Sequence, residues 1–246
     1  MPSLDKPEPP PPASIQWRIP PVHPDGRRFL VAAAALALFC WWVIDWDTLG
    51  WFIAFFGLGI AAFFRDPVRT TPLGKGLIVS PADGTVTMIS TVVPPRELLD
   101  EGTLEPEPVV RISIYMSPFD AHIIRSPIEG AVKKLVYVAG KTVNPEFDKG
   151  SEDNERQHLL VEGPDGTRIA FTQIAGLIGR RIICWVKEDE KVVAGQRVGI
   201  IRFGSRTDVY LPAGTGSQVL LGQRTIAGET ILARTGVSEL LEGVAQ

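Results

Sequence analysis

Histidine and cysteine are scarce in this chain, with three His and two Cys among 246 residues. Cys40 and Cys184 lie far apart and form no Cys-x-x-Cys, which excludes a disulfide framework and a zinc site and suits a reducing, cytosol-facing location. No charge of one sign dominates. Lys plus Arg number 25 against 28 Asp plus Glu, a net −3, so no global basic field draws the chain to nucleic acid. Apolar residues (45%), glycine (24) and proline (21) are plentiful, in a length that suits one sizeable domain with appendages. A stapled miniprotein and a wholly disordered chain are both excluded.

The prolines are unevenly spread. Nine fall in residues 1–26, including an unbroken run at 9–12, which predicts a disordered, partly extended tail. Two apolar runs follow, 29–44 and 49–64, separated by Asp45-Trp46-Asp47 and flanked by Arg27, Arg28, Arg65 and Arg69. A single helix over 29–64 would be roughly 54 Å long, against a hydrocarbon core of about 30 Å, and would bury both aspartates near the bilayer centre. A membrane-associated helical hairpin over 27–69 avoids this. The turn, with Trp41, Trp42, Trp46 and Trp51, then sits at the far interface and the four arginines on the cytoplasmic face of the inner membrane. Runs this short either thin the bilayer or dip into one leaflet. A signal peptide over the first run and a hairpin inside a soluble core are competing readings.

Over 70–246 the pattern changes to short alternating segments bounded by Gly, Pro and Asp. Strands are predicted at 84–90, 110–116, 131–138, 158–162, 168–174, 181–186, 198–203, 207–211 and 230–233, and helices at 95–101 and 237–242. The fold class is therefore mainly β, a barrel-sandwich-like domain of short strands. Two internal echoes support it. Val192-Val-Ala-Gly195 and Thr225-Ile-Ala-Gly228 each lead into an apolar strand. Pro81-Ala-Asp83-Gly84-Thr-Val86 and Pro127-Ile-Glu129-Gly130-Ala-Val132 each turn into one.

Candidate chemistry lies in three segments, each an ordinary turn when taken alone: Ser80-Pro81-Ala82-Asp83-Gly84, Met116-Ser-Pro-Phe-Asp120-Ala-His122, and Arg202-Phe203-Gly204-Ser205-Arg206. With Phe64-Arg65-Asp66-Pro67, Asn154-Glu155-Arg156 and Ala175-Gly-Leu-Ile-Gly-Arg180-Arg181, in this order and spacing, the chain resembles the precursors of short prokaryotic phosphatidylserine decarboxylases, pyruvoyl-dependent enzymes that cleave themselves. The likeness runs from about residue 63 to 233.

The resemblance implies that the Ser205 hydroxyl attacks the Gly204 carbonyl and that the resulting ester is eliminated. This gives a β chain of residues 1–204 and an α chain of 246 − 204 = 42 residues that begins with a pyruvoyl group made from Ser205. That group would form a Schiff base with the substrate amine and act as an electron sink, converting phosphatidylserine to phosphatidylethanolamine and CO2 without a metal or an exogenous cofactor. Asp83 and His122 fall at the family's functional positions, His122 as general acid/base and Asp83 orienting it. In the longer bacterial relatives a second histidine stands three residues further on, credited with self-cleavage; here that position is Arg125. Arg206, Arg202, Arg125, Arg180 or Arg181 would pair with the lipid's phosphodiester or carboxylate. Expected partners are phosphatidylserine, membrane lipid and the two chains of one precursor, and a homo-oligomer is compatible with the sequence. Two other readings compete, a membrane-anchored binding module without chemistry and a serine hydrolase using Ser205, His122 and Asp83.

Overall fold

A computed structural model describes residues 19–99, 103–140, 154–176, 182–202 and 205–244. Two antiparallel helices open it, α1 (Pro24–Trp42) and α2 (Asp47–Phe63). Pro24 suits the first turn of α1, where its missing N–H is not needed, and the His23 ring accepts from the Asp25 amide. Asp45 reverses the chain in the left-handed region at φ 57°. The hairpin base is strapped shut, because Val22 bridges Arg65, the His23 amide donates to the Phe64 carbonyl at 2.8 Å and the Asp66 amide to the Pro21 carbonyl at 2.8 Å. Residues 19–26, expected within a disordered tail, are thus the ordered entry to the hairpin; the rest of that expectation lies outside the described residues. No described helix is long and apolar enough to cross a membrane. Even so, Trp42, Trp51, Phe52, Phe55, Phe56 and Leu58 are all exposed.

Among the described residues thirteen strands follow: β1 (Leu77–Val79), β2 (Gly84–Val92), β3 (Val109–Met116), β4 (Ile123–Arg125), β5 (Gly130–Val138), β6 (Arg156–Glu162), β7 (Arg168–Ile174), β8 (Ile182–Cys184), β9 (Lys191–Val192), β10 (Arg197–Ile201), β11 (Ser205–Tyr210), β12 (Arg224–Thr225) and β13 (Ile231–Arg234). They form an eight-stranded sheet in the order β12-β2-β3-β11-β7-β6-β5-β9, a three-stranded sheet β4-β10-β8 and the pair β1-β13. The mainly β class read from the sequence is the class observed, and each of the nine expected strands falls on one of these. Neither expected helix is found among the described residues, and 100–101 of the first lie outside them. Residues Arg96–Leu98 make one 3-10 turn after Pro94 and Pro95. Residues 237–242 run as irregular chain against 216–218, the Gly216 amide donating to Val237 O and the Leu241 amide to Ser217 O. Six residues are too few to sustain a helix when neighbouring backbone offers partners.

The sequence echoes are one duplicated unit that clasps itself. β1 leads through Ser80-Pro81 into β2, and β4 leads through Ser126-Pro127 into β5. The two turns exchange bonds, Val79 N to Pro127 O at 2.9 Å and Arg125 N to Pro81 O at 2.8 Å. Each serine carbonyl then accepts from one glycine of the other echo: Ser80 from Gly228, Ser126 from Gly195. Both glycines sit at φ near +75°, which a residue with a Cβ resists. Below the clasp, Val86, Ile112, Ile114, Val132, Leu159, Phe171 and Val209 fill the main core. The hairpin base docks separately, with Phe63 and Phe64 on Ile123 of β4 and Ile200 of β10.

On the opposite face of β11, the Arg206 guanidinium grips the Asp208 carboxylate through Nε and Nη2, both at 2.7 Å, with both side chains almost wholly buried. Breaking a buried pair strands a charge, which is destabilising by about 3–5 kcal/mol, whereas replacing both partners with apolar residues is often neutral. Urea denaturation in an S205A background should therefore show D208L losing about that much, with R206M/D208L recovering most of it. Equal stability of D208L and the parent would show that the pair does not hold the strand.

Candidate active site

The candidate site lies where β3 and β10 end and β4 and β11 begin. β3 ends at Met116 and the chain passes through 117–122 into β4; β10 ends at Ile201 and the chain passes through 202–204 into β11. Because Met116 pairs with Ser205, and the Ile201 amide donates to the His122 carbonyl at 3.2 Å, the loop carrying His122 runs from beside the start of β11 to beside the end of β10. Gly204, the other residue of the expected cleavage bond, lies outside the described residues, as do Arg180 and Arg181. Ser205 is fully buried, and the contact recorded for its hydroxyl among the described residues is a weak one to the Met116 thioether at 3.7 Å. A buried hydroxyl without a strong partner is poorly stabilised where it stands.

His122 is fully buried under the Phe63 ring, with centroids 4.1 Å apart. Its Nδ1 lies 2.9 Å from the Asp120 carbonyl, an acceptor, so Nδ1 carries the proton and donates. Burial pulls the imidazole pKa down to about 4, overcoming the hydrogen bond and charge of Asp120 that favour the cation; the nearby Arg65 lowers it further. The ring is neutral at pH 7, and its Nε2 lone pair is buried without a partner among the described residues. That is the state of a general base awaiting a proton. Asp120 is itself fixed by the Ser117 amide and hydroxyl, both at 2.8 Å, and by Arg224. Burial would raise the Asp120 pKa, but these hydrogen bonds outweigh it and hold the carboxyl below its usual range.

Asp83 does not contact His122. It accepts from the Ala227 amide at 2.7 Å and pairs with Arg69, while Arg65 secures the Phe119 carbonyl at 2.6 Å. Burial raises the Asp83 pKa; the Ala227 amide and Arg69 offset part of that, Asp120 adds to it and Arg65 opposes it. Its turn is pressed against β3, since a Cβ on Gly84 would meet the Tyr115 carbonyl oxygen at 2.3 Å. Among the described residues the partner of the His122 Nδ1 is the Asp120 carbonyl, and no hydrogen bond joins Asp83 to the ring.

Of the five arginines expected at the substrate, the three that are described have other engagements. Arg206 is paired with Asp208. Arg125 donates to Gly195 O at 2.8 Å and Pro67 O at 3.0 Å, bracing the linker after α2 against the clasp. Arg202 lies over the Phe29 ring, 5.7 Å from its centroid. Sequence reasoning missed Phe63, Arg69, Asp120 and Arg224 as parts of the site; the one signal for three of them was their place inside the Phe-Arg-Asp-Pro and Ser-Pro-Phe-Asp segments or just beside one.

The Phe63 ring shields one face of His122. Imidazole NMR of an S205A precursor should show His122 titrating near pH 4, and F63A should move it up towards 6.5; titration near 6.5 in the parent would contradict the neutral, shielded ring.

The phosphatidylserine decarboxylase family profile matches residues 56–233. The chain is 54% identical over 235 residues to a phosphatidylserine decarboxylase proenzyme of Novosphingobium aromaticivorans, covering 94% of this chain and 93% of that one. It is likewise 54% identical over 235 residues to the protein of that name from Erythrobacter litoralis, covering 94% of each, and 49% identical over 223 residues to that of Zymomonas mobilis, covering 91% and 90%. With both relatives and profile spanning the clasp, the His122 loop and β11, the chain belongs to the phosphatidylserine decarboxylase family.

Proposed function

We propose that this chain is a proenzyme that cuts itself between Gly204 and Ser205, turns Ser205 into a pyruvoyl group, and decarboxylates phosphatidylserine to phosphatidylethanolamine at a membrane surface. The observation that carries the reading is the placement of a buried, weakly held Ser205 hydroxyl at the start of β11, beside a loop whose imidazole is neutral with Nε2 unengaged. Family membership favours it over the binding-module and hydrolase readings.

In self-cleavage, His122 takes the hydroxyl proton as Oγ bonds to the Gly204 carbonyl carbon. The Gly204–Ser205 C–N bond then breaks, the nitrogen gains a proton, and the chain is joined through an ester. Loss of the Ser205 α-proton expels the Gly204 carboxylate, which keeps the former Oγ. The remaining dehydroalanine takes up one water and releases ammonia, leaving a ketone. Asp83 holds the Ser80–Gly84 turn, through the Ala227 amide and Arg69, against the end of β3 that faces Ser205. The residues present fit a pyruvoyl group, because it replaces a small buried side chain at a strand start and requires no ligand set. Such a group supplies an electrophilic carbonyl for the lipid amine and an electron sink for carboxylate loss.

The hairpin, whose Leu36, Trp42, Trp51, Phe55 and Leu58 are exposed, lies in the cytoplasmic leaflet of the inner membrane, and Phe119, 86% exposed, tips the His122 loop beside its base. The membrane hairpin and β domain divide near residue 69.

Incubated with phosphatidylserine vesicles, the purified protein should form phosphatidylethanolamine and CO2, and borohydride with an amine should abolish the activity by reducing the ketone adduct. S205A should stay unsplit and inactive, and H122A should lose about 100-fold or more in splitting or turnover. Decarboxylation by S205A would overturn the reading.

A further inference from the structure

Along β11, alternate side chains share a face, so Ser205, Thr207 and Val209 all point to the main core. Val209 stands opposite Phe171 on β7 and Ile112 on β3, as a core residue should. One step nearer the cleavage site, Thr207 stands opposite Ile114 on β3 but Gln173 on β7, and Gln157 on β6 stands opposite Gln173. The apolar core gives way here to an amide and a hydroxyl.

Neither side chain is satisfied. Gln173 and Thr207 are fully buried, and Gln173 Oε1, Gln173 Nε2 and Thr207 Oγ1 have no hydrogen-bond partner among the described residues. Leaving such groups buried and unpaired is destabilising by about 1–3 kcal/mol each, and leucine, methionine or valine would fill the same volume without that penalty. Three unpaired atoms on two directly opposed side chains, one position in from the reacting serine on the same face, mark a place where a ligand completes the bonding. Together they offer N–H and O–H donors and a carbonyl acceptor. A group carrying both a carboxylate and an amine satisfies all three atoms.

We propose that Gln173 and Thr207 form the subsite that receives the amino-carboxylate end of the serine headgroup, an inference that rests on the decarboxylase reading above. Neutral donors suit this task. An arginine would stabilise the carboxylate in the ground state more than in a transition state that is becoming CO2, whereas an amide and a hydroxyl orient it with little such penalty. The nearby arginines are turned to other partners, with Arg206 on Asp208 and Arg125 on backbone carbonyls.

The test uses two shape-conserving variants of the full chain, Q173M and T207V, each compared with the parent in thermal melting, completeness of splitting by denaturing mass spectrometry, and kcat/KM on phosphatidylserine vesicles. Both should split completely, melt no lower than the parent and lose about tenfold or more in kcat/KM. A merely structural role would instead lower melting temperature and activity together, and that result overturns the subsite. So does unchanged kcat/KM, and so does failure to split, which would assign the pair to precursor chemistry. An unsplit or inactive parent overturns the decarboxylase reading and this inference with it; a split, active parent beside parent-like variants overturns the subsite alone.

Discussion

The bond preceding Ser205 lies between two strands that are each hydrogen-bonded along both edges. β10 sits between β4 and β8, and β11 between β3 and β7. A chain that is to be cut must hold both new ends without the peptide link, and central strands do so because their ladders do not depend on the connection between them. The carboxy-terminal piece is further woven in by β12 against β2 and β13 against β1. Buried hydrogen bonds and core side chains such as Val209 and Leu232 replace the covalent tie. The proposed scission is therefore compatible with an intact fold, and it leaves the altered residue walled in by protein.

The second constraint is that the hairpin is part of the site. Phe63 covers His122, Arg65 holds the Phe119 carbonyl and Arg69 meets Asp83, all within seven residues of chain at the end of α2. The hairpin that ends in this segment exposes, between Trp42 and Phe56, the aromatic surface suited to a lipid interface. A headgroup whose tails remain in a bilayer would thus be met by residues fixed to the element that touches the bilayer. Tether and chemistry share one docking contact, the Phe63–Phe64 base on β4 and β10.

Much of this was legible in the sequence for identifiable reasons. The echoes at Pro81/Pro127 and Gly195/Gly228 exposed the duplicated clasp, because turn geometry restricts residue choice so strongly that two copies still look alike. Long strands such as β6 and β7 were visible through alternation, while β1, β4, β9 and β12 were too short to show a period. The helix expected over 237–242 failed because its backbone found partners at 216–218, a tertiary fact that no local pattern carries. At the site, Ser205 and His122 stood out through motif order. The partners of Asp83, Arg125 and Arg206 did not, since a guanidinium's choice between a carboxylate, a carbonyl and a ligand depends on what the fold brings within reach. Gln173 and Thr207 left no trace at all, because an unpaired amide is recognised only once its surroundings are known.

The central claim is that the working protein is a cut chain held together by its sheets. Mass spectrometry of one active sample under native and denaturing conditions tests it most directly. The account predicts a native mass close to the precursor's 26.8 kDa that separates on denaturation into pieces of 204 and 42 residues, the smaller lacking a free amino terminus. A fully active sample that denatures to one unbroken polypeptide would contradict it.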